Sequence, residues 1–154
     1  MGEDDLVPTR LLFVCLGNIC RSPTAEGVMR HLIQQRGLQD EIEVDSAGTG
    51  DWHVGSAPDD RATAAARQRG IALAGAARQV TRLDFEEYDL LLAMDRHNLR
   101  DLLAQAPPGL EYKVRLLADI DVPDPYYGEG DGFARVLDIV EVACERLLDD
   151  LRQD

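Results

Sequence analysis

Cys15-Leu16-Gly17-Asn18-Ile19-Cys20-Arg21-Ser22 decides how the chain is read, because an apolar run leads into it and a helical pattern leads out. Before it, Leu11-Leu12-Phe13-Val14 has the length and side chains of a strand buried on both faces, as in a parallel sheet covered by helices. After it, Ser22 is placed to cap a helix and Pro23 fits the first helical position. Ala25, Val28, Met29, Leu32 and Ile33 then recur at helical spacing until Gly37 supplies a stop. The stretch is read as a strand-to-helix loop. Such a loop sets backbone N–H groups at the amino end of a helix, where they and the helix dipole favour an anion. Gly17 permits a tight turn and Asn18 tolerates left-handed backbone angles, so Leu16, Gly17, Asn18, Ile19, Cys20 and Ser22 are expected to form a phosphate-sized cradle. Cys15 stands at its entrance and Arg21 at its far side. A thiol at a helix amino terminus beside a guanidinium is held as thiolate, the nucleophilic form, and the guanidinium fork grips two oxyanion oxygens. Taken singly, Cys15 reads as a small buried hydrophobe and Arg21 as a solvated charge. The spacing of strand, Cys, five residues, Arg, Ser, Pro and helix favours the chemical reading.

Working outward, a chain of 154 residues with 45% hydrophobic content has the size of one domain with a proper core. The expected division is a flexible acidic N-terminus over residues 1–9 and one catalytic domain over 10–154. A net charge of −13 argues against a general nucleic-acid or anionic-membrane surface, so any phosphate must be held locally. No apolar signal core follows the acidic start, Leu6 stands where a myristoylation signal wants Ser or Thr, and no run is long enough to span a bilayer. The expected location is cytoplasmic, with export without a recognisable signal left open. Three cysteines suit a reducing compartment better than a disulfide framework. Cys144 falls on the apolar face of the last helix and reads as a core thiol. For Cys20 two readings stay open: simple loop packing, or a reversible disulfide with Cys15 that protects it from over-oxidation.

Further along, Glu41 to Val44 reads as a short second strand, followed by Asp45-Ser46-Ala47-Gly48. The Gly-bounded loop from Gly50 to Gly55 carries the single tryptophan, Trp52, either a packing anchor or a wall against which an aromatic ring stacks. His53 reads as a surface histidine. Pro58 to Arg69 is an alanine-rich helix stopped by Gly70. Tyr88 to Met94 is a second continuous apolar run, and Asp95 after it is read as the N-cap of the helix bearing Leu99, Leu102 and Leu103, in preference to a catalytic role. Val114 to Leu117 gives a fourth strand, and Phe133, Val136, Leu137, Val140, Ala143, Leu147, Leu148 and Leu151 form the stripe of a closing helix. The fold class is α/β: a single open parallel sheet of about four strands with helices on both faces and the phosphate-binding loop after the first strand.

A cysteine that attacks a phosphoester still needs an acid to protonate the departing oxygen. The irregular loop from Asp119 to Asp131 offers Asp119, Asp121, Asp124 and Asp131, and nothing in the residues themselves chooses among them. The same loop lacks the alternating ligands and terminal glutamate of a calcium loop, so no metal is expected.

Val14 to Glu26, reading VCLGNICRSPTAE, resembles the signature loop of the low-molecular-weight protein tyrosine phosphatases, and the likeness extends over nearly the whole chain from Arg10. The resemblance implies hydrolysis of phosphotyrosine through a cysteinyl-phosphate on Cys15, with Arg21 holding the phosphoryl oxygens and no cofactor. It selects Asp124 as the acid, since Asp124-Pro125-Tyr126-Tyr127 matches the family's second motif. It makes Trp52, Tyr126 and Tyr127 the crevice walls, Ser46 a support of the loop and Cys20 the redox partner of Cys15. The implied partners are a phosphotyrosine-containing protein substrate and a tyrosine kinase acting on Tyr126 or Tyr127. Two departures stand out: Gly75 where many relatives have a histidine that buttresses the loop, and a shorter stretch from Leu117 to Asp124. Protein-arginine phosphatases and thiol-dependent arsenate reductases share the loop and are the alternatives. Arsenate reductases need further cysteines, and none lies between Cys20 and Cys144. Arginine phosphatases tend to have Thr in place of Ile19 and one aromatic after Asp-Pro. A phosphopeptide-binding module that had lost the nucleophile or the acid is disfavoured by the presence of both.

Overall fold

The computed structural model describes residues 7–125 and 131–152. Its element order is β1 (Thr9–Cys15), α1 (Arg21–Gln35), β2 (Ile42–Gly48), α2 (Asp60–Arg67), α3 (Arg82–Glu87), β3 (Leu90–Ala93), α4 (Arg96–Gln105), a 3₁₀ turn at Glu111–Lys113, β4 (Val114–Leu116) and α5 (Gly132–Arg152). The four strands form one parallel sheet in the order β2-β1-β3-β4.

Period-two alternation along β1 explains why helices cover both faces. Leu11, Phe13 and Cys15 share a core with Val28 and Met29 of α1, Ala66 of α2, and Val136 and Val140 of α5. Leu12 and Val14 turn the other way, to Phe85 of α3 and Leu102 of α4. All four of Leu11 to Val14 are fully buried, as a central strand requires. β1 has β2 on one side and β3 on the other, so the chain leaves it in opposite directions. That reversal opens a crevice at the carboxyl ends of β1 and β3.

Several boundaries differ from the expectations. The ladder begins at Thr9, inside the stretch read as a flexible N-terminus, where Thr9 pairs with Ile42. β2 runs on to Gly48, because Ser46, Ala47 and Gly48 pair with Phe13, Val14 and Cys15 even though small and polar residues carry no strand pattern. Helix α3 went unforeseen; its signal is a capping box in which Thr81 and Asp84 satisfy each other's backbone N–H groups. The helix expected over Pro58 to Arg69 is Asp60–Arg67, capped by Asp59, which accepts from the N–H groups of Arg61 and Ala62. Helix α1 starts at Arg21 with Cys20 at the N-cap, so Ser22 is not the cap and Pro23 stands in the third helical position. Ser22 keeps its hydroxyl for another partner.

Candidate active site

The loop from Cys15 to Arg21 closes over the end of β1 and is fastened from three sides. Thr49 N–H donates to the Cys15 carbonyl and Gly50 N–H to that of Leu16, both at 2.9 Å, while Asp59 N–H reaches the Ile19 carbonyl at 2.8 Å. Asn18 takes the left-handed conformation, φ 59°. Gly17 does not; its requirement is space, since a Cβ there would stand 3.0 Å from the His53 ring. Gly48 is needed for the same reason: a Cβ would lie 2.7 Å from the Leu16 carbonyl oxygen.

At the centre, Cys15 Sγ has two hydrogen-bonding neighbours among the described residues. Ser22 Oγ lies 3.0 Å away and Asn18 N–H donates to the sulfur across 3.2 Å. Behind them Asn18 Nδ2 donates to Ser22 Oγ at 2.8 Å and to Ser46 Oγ at 3.0 Å, and Asn18 Oδ1 accepts the Arg78 N–H at 2.9 Å. Arg78 is in turn held by Asp84 and Asp45, whose carboxylates outweigh the effect of burial and raise its guanidinium above its ordinary value. Gly75, φ 91°, lines a small cavity with Asn18, Glu26, Asp45 and Ser46. The loop is thus buttressed through Arg78 and Ser46, without a side chain at 75.

Arg21 is 4% exposed. Its Nη1 donates to Asp95 Oδ2 at 2.6 Å and to the Val122 carbonyl at 3.0 Å, and its Nη2 stands 3.7 Å from Asp124 Oδ2. Burial works against the charge, but Cys15, Asp95 and Asp124 outweigh it and hold the guanidinium above its ordinary value. Asp95 is the N-cap of α4 as expected, accepting the Asn98 N–H at 2.7 Å through its other oxygen. Burial pushes its carboxyl up, yet the bonds from Arg21 and the Asn98 N–H bring it below the usual range. It therefore does two jobs, of which the sequence showed one, because the contact to Arg21 spans 74 residues.

A cleft of about 370 Å³ opens over the sulfur, lined by Leu16, Ile19, Cys20, Arg21, Trp52, His53 and Asp124. Trp52 stands at the mouth, 71% exposed. His53, read from sequence as a surface residue, lines this cleft. Ser46 lies behind the loop and not in the cleft, and Ser22 is buried beside the thiol. Asp124 reaches the cleft; Asp119 pairs with Arg146 and Asp121 with Arg96, outside it. Tyr126 and Tyr127 lie outside the described residues. Cys20 is buried, and burial first, then the charges of Asp59, Cys15 and Asp124, push its thiol up to about 12. Cys144 is fully buried in the main core, as expected.

A thiol under a buried guanidinium at the head of a helix, with a carboxylate across the cleft, is the architecture of a cysteine-dependent phosphatase. Residues 10–154 match the family model described as low molecular weight phosphotyrosine protein phosphatase, and the chain belongs to that family of hydrolases. It is 46% identical to a low molecular weight protein-tyrosine-phosphatase of Streptomyces coelicolor over 154 residues, 94% of each chain. A crystal structure of a protein tyrosine phosphatase from Entamoeba histolytica, with Hepes in its active site, superposes with a TM-score of 0.92 at 42% identity. It covers 94% of this chain and 97% of that one. The structure of a Drosophila arginine phosphatase is also similar, with a TM-score of 0.87 at 36% identity over 94% and 98% of the two chains. Among the described residues no helix is long and apolar enough to cross a membrane.

Proposed function

We propose that the enzyme removes phosphate from phosphotyrosine in proteins in two displacements. Cys15 Sγ attacks phosphorus; the S–P bond forms as the P–O bond breaks, and the departing phenolate oxygen takes a proton from Asp124. In the second step Asp124 takes a proton from water, the water oxygen bonds to phosphorus, and the S–P electron pair returns to sulfur. Arg21 and the amides of Leu16 to Ser22 hold the equatorial oxygens through both steps, and Ser22 and the Asn18 N–H stabilise the sulfur as it leaves. The observation that carries this reading is the convergence on one cleft of the Cys15 sulfur, the buried Arg21 fork and Asp124.

Phosphotyrosine is favoured over phosphoarginine by the apolar rim. Ile19 and the exposed ring of Trp52 suit a flat aromatic leaving group, while among the described residues the one carboxylate lining the cleft, Asp124, already faces Arg21. Cys20 serves as the guard of the nucleophile: once a peroxide has converted Cys15 to the sulfenic acid, the neutral Cys20 thiol condenses with it, releasing water and leaving a reducible disulfide. The expected setting is cytoplasmic, where thiols are kept reduced.

The test is release of phosphate from a phosphotyrosine peptide and a phosphoarginine peptide by the wild type, Cys15→Ser and Asp124→Ala, under reducing conditions. Phosphotyrosine turnover that vanishes in Cys15→Ser supports the reading. A wild type that binds the phosphotyrosine peptide without cleaving it, or that prefers phosphoarginine, overturns it.

A further inference from the structure

The mechanism above uses the groups touching the sulfur and leaves one carboxylate behind them without a role. Glu26, on α1, is only 14% exposed. Its Oε1 accepts the Ser46 hydroxyl at 2.7 Å, and its Oε2 pairs with Arg30, which also reaches the Val44 carbonyl. From Ser46 the hydrogen bonds continue through Asn18 Nδ2 to Ser22 Oγ and end at Cys15 Sγ.

The two ends of this chain dictate where its protons lie. The Arg78 N–H can only donate, so Asn18 turns its oxygen there and both its N–H bonds to the serines. An ionised Glu26 can only accept, so Ser46 points its proton at the carboxylate and offers a lone pair to Asn18. Ser22 has then accepted an N–H and has one proton of its own to place. The Ala47 carbonyl is 3.5 Å away, at the outer edge of a hydrogen bond, and the sulfur is at 3.0 Å. Each link polarises the next, which strengthens the last donor.

We propose that Glu26 is a positioning residue for the thiol: acting through Ser46 and Asn18, it holds Ser22 as a hydrogen-bond donor to Cys15 Sγ. The inference rests on the two-step mechanism above, and its effect falls on the step in which sulfur regains its electron pair.

The experiment measures kcat and KM for an aryl phosphate, with thermal unfolding of each variant. Glu26→Leu removes the acceptor and is expected to lower kcat about tenfold with KM little changed, the lower end of what a hydrogen bond to a charged group supplies. Glu26→Gln, whose amide oxygen still accepts, recovers most of the loss. In a Ser22→Ala background, where there is no donor left to hold, Glu26→Leu costs nothing further. A kcat equal to wild type in Glu26→Leu overturns the inference. So does the same loss with and without Ser22, which is the mark of a merely structural role. Should Glu26→Leu fail to fold, Ser46→Ala breaks the chain one bond nearer the sulfur and is read the same way. Turnover that survives Cys15→Ser instead removes the mechanism itself, so the two failures are told apart by that control.

Discussion

Along the cradle of residues 15–22, the polar side chains are buried and have fixed partners: Ser22 on the thiol, Asn18 on Ser22 and on Ser46 behind it, Arg21 on Asp95. Across the cleft, residues 119–125 have neither helix nor strand, and Asp124 is 45% exposed. The buried anchor of that second side is Val122. It donates its N–H to the Met94 carbonyl at 2.8 Å and gives its own carbonyl to Arg21. The contrast separates two demands. Groups that meet the phosphoryl oxygens must not reorganise during reaction, and the core around β1 and α1 fixes them. In the proposed mechanism the acid has to follow two different oxygens, first the leaving group and then water, and a half-exposed carboxylate on an irregular loop leaves it room to do so.

If the division is right, damage to the fixed side is insensitive to the leaving group, and damage to the loop is not. Arg21→Lys is expected to lower kcat about 10²–10³-fold for every aryl phosphate, because a lysine cannot grip two oxygens and keep the Asp95 and Val122 contacts. Steady-state rates over a series of leaving groups check this; a loss confined to poor leaving groups breaks the comparison. Asp124→Asn is expected to cost about 10²-fold for phosphotyrosine, and far less for an aryl phosphate whose phenolate needs no proton. The slope of log kcat against leaving-group pKa should steepen in this variant.

Asp95 sharpens the comparison, since it belongs to the fixed side but is reached only through Arg21. Asp95→Asn is expected to lower kcat about tenfold and to cost stability, through loss of a charge-assisted bond and a weaker cap. Its folded carboxyl lies below the ordinary value of about 3.9, so the stabilisation is full above that pH and disappears as pH falls through the folded value. Urea titrations should find the gap between wild type and Asp95→Asn widest near neutrality and narrowing below about pH 4. The smallest effect concerns Cys20. Its thiol ionises near 9.0 when unfolded and only near 12 when folded, so the unfolded chain binds fewer protons between those values and stability falls as pH rises. Cys20→Ala should flatten the loss of Tm between pH 8 and 10 by about a degree or more, taking a fraction of a kcal/mol as the discounted contribution.

The parts of the fold that were legible in the sequence are those written in contiguous residues. β1, the loop and α1 form one run, and β3 is an unbroken apolar stretch, so local pattern was enough. The second half of β2 was not legible because Ser46 and Gly48 are chosen for what they let the loop do, not for strand propensity. Helix α3 left a signal in Thr81 and Asp84, but its six residues are too few to show a period. In the site, Cys15 and Arg21 share one motif. Asp95 and Val122 meet Arg21 from 74 and 101 residues away, and no spacing rule connects them. Glu26 closes the motif VCLGNICRSPTAE, but nothing along the chain gives it a task, because its partner, Ser46, arrives on the neighbouring strand.

The pairing of Arg21 with Asp95 also bears on how the enzyme lets go. A bare guanidinium at the floor of a closed cradle would bind inorganic phosphate tightly and slow each cycle at its end. Here the cation already carries the Asp95 carboxylate at 2.6 Å, so an arriving dianion meets a charge that is partly offset. On the proposed mechanism, the geometry of the fork keeps the attraction for the equatorial oxygens of the transition state, while the Asp95 partner lowers the affinity for the product as a simple anion.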